Sequence, residues 1–526
     1  MRMRQTLLLL LIVLVAGCKK EPENKAGKQV HVITHEAGSM PFDSADVVKL
    51  GDKQLTSFYR EQNFHTFWVD AKKRKKAGVL LSEAEQYGLD PADFYLDKIR
   101  KSEKRYDQLS KENQLTYDFL LTQSMRKFMI QVSSGKLNPY HIYPNWDLVQ
   151  PSFNVNKTLV NAVAHDDLES SIAKMEPSHI VYKRLKKALI LLDSYGKDTL
   201  RQIVFSKKIM RGDSSVSVIQ IKRRLMFWGD LEKSDSITAW YDGKAANAMK
   251  KFQLRHGLIP DGVIGAGTVS ALNFTKIQRK QQVIANLERW RWFPHEMGSQ
   301  YVIVNIPDYR LRVIKNGDTV DTRRVVVGKE KRRTPVLSSV FSDIILNPTW
   351  TVPPTIIKED LGPDAARDTN YFRNRRLTIY NSKGNVVPAS KWNPAKPNNY
   401  RYVQDPGDDN SLGNVKFNFR NRFTVYLHDT NHRDYFSRNY RSLSSGCVRV
   451  QDPLPLAAYL INDSLRWNLD KINKVVATKE TTYIKLREKT RVHQLYWTAW
   501  VNKRGQLEFR EDIYKYDADL FKRLRQ

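Results

Sequence analysis

From about residue 46 to 205, apolar residues recur at helical spacing, as at Tyr117, Leu120, Leu121, Met125, Phe128 and Met129, with few prolines among them. A period near 3.6 gives a helix one apolar face, so this stretch predicts an α-helical domain. Between 210 and 275 the pattern shortens into three amphipathic helices. Asp213 caps a first that carries Val216, Ile219, Ile221 and Leu225 and stops at Gly229, and Ala245 to His256 forms the second. Asp261-Gly262 turns into the third, which ends at Leu272-Asn273. Gly257 closes a helix, and Gly262 and Gly265 supply turn conformations barred to bulkier residues. Residues 276–298, with Glu288-Arg289-Trp290-Arg291-Trp292-Phe293-Pro294, predict an aromatic-rich linker.

At Tyr301 the period switches to two. Val302, Val304 and Ile306, then Leu311 and Val313, then Val325 and Val327 alternate with polar positions, and Asn316-Gly317 is a hairpin signal between strands. The alternation returns at 341–346, 423–427, 492–501 and 507–514. These segments predict a β-rich domain over 299–478 and a β extension over 479–526 that packs on it. Between about 355 and 415 the pattern fails, as in Asn393-Pro-Ala-Lys-Pro-Asn-Asn-Tyr400, and an irregular insertion this long reads as a lid. The fold class expected is therefore multidomain α+β, as 526 residues exceed what one core accommodates.

The N-terminus changes the compartment. A basic Met1-Arg-Met-Arg, an apolar run from Leu7 to Val15, and Val15-Ala16-Gly17-Cys18 read as a secretory signal over 1–18, too short for a membrane span. Ending on Cys18, it resembles the lipobox of bacterial lipoproteins, the alternative being an ordinary cleaved signal with an incidental cysteine. Residues 19–45 then form a polar tether. The chain has two cysteines, so lipid on Cys18 leaves Cys447 unpaired. An unpaired thiol in an exported protein is a candidate reactive group, or else a small buried hydrophobe. The net charge of +31 fits an anionic envelope better than nucleic acid, given export. Part of it, as in Lys72 to Lys76, reads as a solvated face without aromatics to stack on bases.

Val425-Tyr426-Leu427-His428-Asp429-Thr430 ends a strand, and Ser444-Ser445-Gly446-Cys447-Val448-Arg449-Val450 follows. Thiol chemistry needs a thiolate, and a neighbouring imidazole that takes the proton and pairs with the sulfur supplies it. Gly446 lets the backbone turn closely at Cys447, where N–H groups are expected to bind an oxyanion. Arg449 is placed to hold a substrate carboxylate. His432 is an alternative base, and Asp429 or a backbone carbonyl is expected to orient His428. Singly, each has a structural explanation: a satisfied strand histidine, a plain turn, a surface charge.

Together, the histidine, the gap of 19 positions and Ser-x-Gly-Cys-x-Arg resemble the L,D-transpeptidase signature. Asn347 to Pro354, Gln404-Asp405-Pro406-Gly407, Asn410-Ser411-Leu412-Gly413 and Val415-Lys416-Phe417 resemble the large, lidded branch of that family, which also carries a helical scaffold. Phe252 to Leu258 with Asp261-Gly262-Val263-Ile264-Gly265 is similar to a peptidoglycan-binding module. The resemblance implies that Cys447 is the nucleophile and His428 the proton acceptor. It also implies that Tyr426, Trp350, Arg449 and Ser445 line the pocket, that no metal or cofactor takes part, and that carbapenems acylate Cys447. The reaction implied is 3→3 cross-linking of peptidoglycan stems by a periplasm-facing lipoprotein. The same site also suits an L,D-carboxypeptidase or an enzyme attaching proteins to the wall. A non-catalytic wall-binding lipoprotein and a metal-dependent amidase are the rival classes, the latter lacking a convincing ligand cluster.

Overall fold

The computed structural model describes residues 36–526, so the signal segment, Cys18 and most of the tether lie outside the described residues. The chain divides into two compact units at Val69/Asp70. In the first, helices Ser44–Val48 and Lys53–Glu61 start on the capping carboxylates of Asp43 and Asp52. The rings of Phe42, Phe58, Tyr59, Phe64, Phe67 and Trp68 meet edge to face between them.

The second unit opens with helices as the apolar spacing predicts. The longest, Lys111–Ser134, buries Tyr117, Leu121, Met125, Phe128 and Met129. Within the basic run, Arg74 departs from a solvated face: it is buried against Glu103 at 3.1 Å and lies over the Tyr106 ring. The three short helices are Val216–Phe227, Gly243–Arg255 and Ala266–Leu272. Two details differ from expectation. Ser215, not Asp213, caps the first, because Asp213 instead accepts the N–H of Met210 at 2.7 Å. Gly265 is extended at φ −100°, so its lack of a side chain answers no backbone demand. Gly257 does need to be glycine: it sits at φ +70°, and a Cβ there would lie 2.4 Å from Arg510 Cδ.

The expected linker is also different. Lys276–Trp292 is a helix of 17 residues, opened by a Thr275/Gln278 capping box and buried along its last three turns. Its Glu288 and Arg291 pair at 3.2 Å with 1% exposure each, and Arg289 reaches Asp517 at 2.5 Å. A helix so enclosed joins the helical region to the end of the chain, which explains its density of tryptophan and charge.

The strands are β1 (Trp146–Asp147), β2 (Gln300–Asn305), β3 (Arg310–Lys315), β4 (Asp318–Gly328) and β5 (Val336–Leu346). Then come β6 (Trp350–Thr351), β7 (Leu377–Tyr380), β8 (Arg401–Gln404), β9 (Val415–Phe419) and β10 (Leu427–His428). The last are β11 (Ser442–Ser444), β12 (Val448–Val450), β13 (Thr482–Lys485), β14 (Arg491–Leu495), β15 (Ala499–Val501) and β16 (Leu507–Phe509). Asn316 and Gly317 both take positive φ and join β3 to β4 in the two-residue hairpin their identity foretells.

The main sheet runs β5-β14-β2-β3-β4-β12-β10-β9, and β9 pairs back with β5, closing the path. β14 lies between β5 and β2, so one strand of the extension expected to pack on the domain is instead internal to its sheet, while β15 and β16 form a separate two-stranded sheet and Asp517–Leu524 is a helix. The expected lid is likewise more ordered than its composition suggests. β6, β8 and β7 form a separate sheet over a cluster that includes Ile357, Leu361, Phe372, Ile379 and Tyr402. Strand-like alternation fails only in part at 423–427 and 510–514, where the residues before Leu427 and after Phe509 are not strand.

Candidate active site

β10 and β12 are parallel neighbours, and His428 is in register with Arg449. This pairing brings the two motifs together: Cys447 precedes β12, and Tyr426 precedes β10. The Tyr426 side chain lies beside both the Cys447 thiol and Trp350 of β6, the short strand that precedes the lid. The Tyr426 and His428 rings meet edge to face at 5.6 Å. On β9, Lys416 is in register with His428 and stands 4.1 Å over the Tyr426 ring. Its charge favours the thiolate of Cys447, a role that its place in the Val415-Lys416-Phe417 motif did not reveal.

His428 is buried, and its Nδ1 has no hydrogen-bond partner. Burial, then the charge of Arg449, pulls the imidazole down to about 3, against a backbone group of Asp429 that favours the protonated ring. The Asp429 carboxylate itself turns away, accepting the N–H of Asn414 at 2.9 Å and an Arg433 contact at 3.4 Å. The Asp429 side chain is therefore not positioned to orient the ring. His432 is exposed and stacks on Tyr435 at 5.2 Å. Arg449 packs over the same Tyr435 ring, touches Thr430 at 3.4 Å and leaves its buried Nε unpartnered.

The nucleophile loop is held from beneath. Gly446 takes φ +117°, a conformation that glycine alone adopts without strain. Its carbonyl accepts from Thr334 Oγ1 at 2.8 Å, and Ser444 Oγ donates to the Cys447 carbonyl at 2.6 Å. The Gly446 N–H donates to Ser444 Oγ at 3.2 Å, so the oxyanion role expected of it is already taken by an internal acceptor. Tyr514, from the C-terminal tail, locks Thr334: its hydroxyl accepts the Thr334 N–H at 3.0 Å and donates to Gly328 O at 2.6 Å. Ser445, exposed, receives Arg332 at 2.9 Å. The same guanidinium grips Glu359 and Asp360 of the lid, each at 2.5 Å. Thr334, Tyr514 and Arg332 carry no motif, since each acts through a contact distant in sequence.

Burial pushes the Cys447 thiol up to about 11, against weaker help from Tyr426, Lys416 and Arg449. With the imidazole near 3, the resting pair is neutral thiol and neutral imidazole, not the ion pair that sequence reasoning expects. The sign has a direct consequence. A raised thiol pKa means that the fold favours the protonated form; the associated stability is complete below pH 9 and lost as pH rises towards 11. At pH 8, roughly 100-fold less thiolate is present than for an unperturbed thiol. Alkylation of Cys447 by iodoacetamide, followed by mass, is expected to be slower by that factor and to climb between pH 9 and 11. Fast labelling at pH 7 would contradict a neutral resting pair.

Three family models match this chain: a scaffold domain over 53–189, a peptidoglycan binding domain over 214–272 and an L,D-transpeptidase catalytic domain over 299–477. The protein is thus a multidomain α+β chain with parts proper to cell-wall proteins. Residues 299–477, the ones that match the L,D-transpeptidase catalytic domain, hold Tyr426, His428, Cys447 and Arg449. A Haemophilus influenzae protein assigned to the L,D-transpeptidases is 38% identical over 242 residues, 46% of this chain and 49% of that protein. The chain thus matches about half the length of that relative. The N-acetylmuramoyl-L-alanine amidase CwlL of Bacillus licheniformis is 37% identical over 65 residues, 12% of this chain and 18% of its own. An L,D-transpeptidase structure from Stackebrandtia nassauensis covers 56% of this chain and 96% of its own at 13% identity, with a TM-score of 0.21. A score that low establishes no correspondence of residues.

Proposed function

We propose that this protein is an L,D-transpeptidase that forms 3→3 cross-links in peptidoglycan. The observation that carries this reading is the parallel pairing of β10 with β12, which sets the strand of a buried His428, its Nδ1 unpartnered, beside the segment that carries Cys447, within the residues that match an L,D-transpeptidase catalytic domain. The Cys447 sulfur attacks the carbonyl of the third residue of a tetrapeptide stem as its proton moves to His428. Transfer in concert with attack suits a neutral pair, because neither charge has to exist beforehand in the desolvated site. The tetrahedral intermediate collapses, the peptide bond to the terminal D-alanine breaks, and His428 returns the proton to the departing amine. An amine of a second stem then attacks the thioester, restoring the thiol and completing the new amide. No ATP, metal or other cofactor enters this balance.

Arg449 and Ser445 line the donor site with Trp350 and Tyr426, Arg449 for a stem carboxylate. The module at 214–272 holds the glycan, and lipid on Cys18 keeps the protein at the envelope membrane, facing the wall. Water in place of the acceptor amine would make the same site an L,D-carboxypeptidase.

Incubating the purified protein with defined tetrapeptide muropeptides and resolving products by mass spectrometry tests this. Dimers linked 3→3 are expected. Tripeptides without dimers would convert the reading to carboxypeptidase, and unaltered substrate would reduce the chain to a wall-binding protein.

A further inference from the structure

In the β3–β4 pair, Arg310 stands directly opposite Arg324. Like charges in that position destabilise an antiparallel ladder unless something neutralises them. The surrounding groups do so only in part. A cavity of about 340 Å³ is lined on the catalytic-domain side by Arg310, Arg312, Arg324, Arg438, Arg441 and Arg510, with Asp308 and Glu508 as its carboxylates.

Asp308 is shared between Arg312 at 2.7 Å and Arg510 at 2.6 Å, and Glu508 meets Arg510 at 3.1 Å. Arg438 pairs outside the cavity lining with Asp434 at 2.7 Å. Arg310, Arg324 and Arg441 form no ion pair among the described residues. Arg441, buried, donates only to the backbone carbonyls of Val325, Arg438 and Tyr309 and lies over the Tyr309 ring, and Arg324 donates only to that of Phe436. Burial and the neighbouring arginines pull Arg441 down to about 10, the direction an under-neutralised cluster produces.

The opposite wall belongs to the peptidoglycan binding module: Leu254 and the stretch Gly257 to Pro260. The two sides are pinned together, since Arg510 donates to Arg255 O at 3.1 Å and Ile259 N–H donates to Asn439 Oδ1 at 3.2 Å. A surface lysine fringe would be solvated and replaceable. Here the guanidinium groups converge on one concavity, between a module that holds wall polymer and the strands that carry the nucleophile. Arg441 O accepts the Val327 N–H at 2.9 Å, and Arg441 lies six residues before Cys447, immediately ahead of β11.

We propose that this cavity is a second anion site, which takes two or more carboxylates of a peptidoglycan stem peptide borne by the strand held on the module. It rests on the peptidoglycan reading above. Arginine forks match carboxylates bidentately, and the volume suits a dipeptide-sized group rather than a folded partner. Occupied, the site would hold one stem in fixed register with the strands leading to Cys447 while another is processed there.

The test uses the full chain carrying Cys447→Ala, so that nothing is turned over, with and without Arg310→Gln/Arg324→Gln. Calorimetric titration with a disaccharide-tetrapeptide is expected to give two binding events. The double variant, and amidation of the peptide carboxylates, should each weaken one event at least about tenfold. Inorganic pyrophosphate should compete for that event alone. Relief of the like-charge pair should raise the melting temperature of the unliganded double variant by about 1–2 °C, which also establishes that it folds. Unchanged affinity in the double variant overturns the proposal. So does arginine-dependent binding of pyrophosphate with no arginine-dependent binding of the muropeptide, which would assign the cavity to a phosphorylated polymer. Turnover by the Cys447-intact chain is read separately: its absence defeats the transpeptidase reading, while the arginine dependence of binding still decides the cavity.

Discussion

Replacing Cys447 with alanine is expected to lower turnover of tetrapeptide stems at least about 10³-fold, because no second thiol or hydroxyl takes over a displaced covalent step. The fold should hardly register the change. Cys447 is half-buried at the edge of the core, and the loop around it is held by Thr334, Ser444 and glycine geometry rather than by the sulfur. A shift in melting temperature of no more than about 3 °C is expected. The same pair of proteins separates chemistry from binding. A carbapenem, whose strained carbonyl suits a sulfur nucleophile, should add one molecule to the intact mass of the unaltered chain and nothing to the variant. Turnover retained in the variant, or an adduct on it, would move the nucleophile elsewhere.

The second large effect lies away from the sulfur. Gly328 ends β4 at a conformation open to any residue, yet a Cβ there would lie 2.2 Å from Arg332 O and 2.7 Å from Thr334 N. Both are backbone atoms, so Gly328→Ala must displace the segment 332–334. That segment positions the site: Thr334 Oγ1 accepts the Gly328 N–H at 2.8 Å and donates to Gly446 O at 2.8 Å, and Arg332 reaches Ser445. We expect a loss of about 2–4 kcal/mol in stability. We also expect about a 10²-fold fall in kcat/KM, the usual cost of moving a reacting group by about 1 Å. Thermal melts and the muropeptide assay check the two together. Gly505→Ala, at φ +77° with nothing near its Cβ, is the control for a simple backbone penalty. A destabilised Gly328→Ala protein with full activity would break the proposed link between this loop and the nucleophile.

The chain's linear pattern determined whatever depends on near neighbours. The helical period around Met125, the alternation from Tyr301 and the Asn316-Gly317 hairpin are local preferences, and each appears as an element. The motif around Cys447 was legible for a related reason: a nucleophile needs a glycine turn and a base, and both stand in short segments. Composition misled where irregular sequence still buries a core, as in the lid, whose Phe372 and Tyr402 stack across 29 intervening positions.

Only the tertiary structure decided what depends on distant partners. It set β14 inside the sheet, made the aromatic segment 276–292 a buried helix, and brought Tyr514 beneath the nucleophile loop. It also set the charge state of the pair. A sequence shows that a thiol and an imidazole are present, but desolvation is a property of the packed site, and here it outweighs Lys416 and Arg449 in keeping the thiol protonated. The opposed arginines of β3 and β4 follow the same rule: register alone makes two unremarkable residues into a concentrated charge.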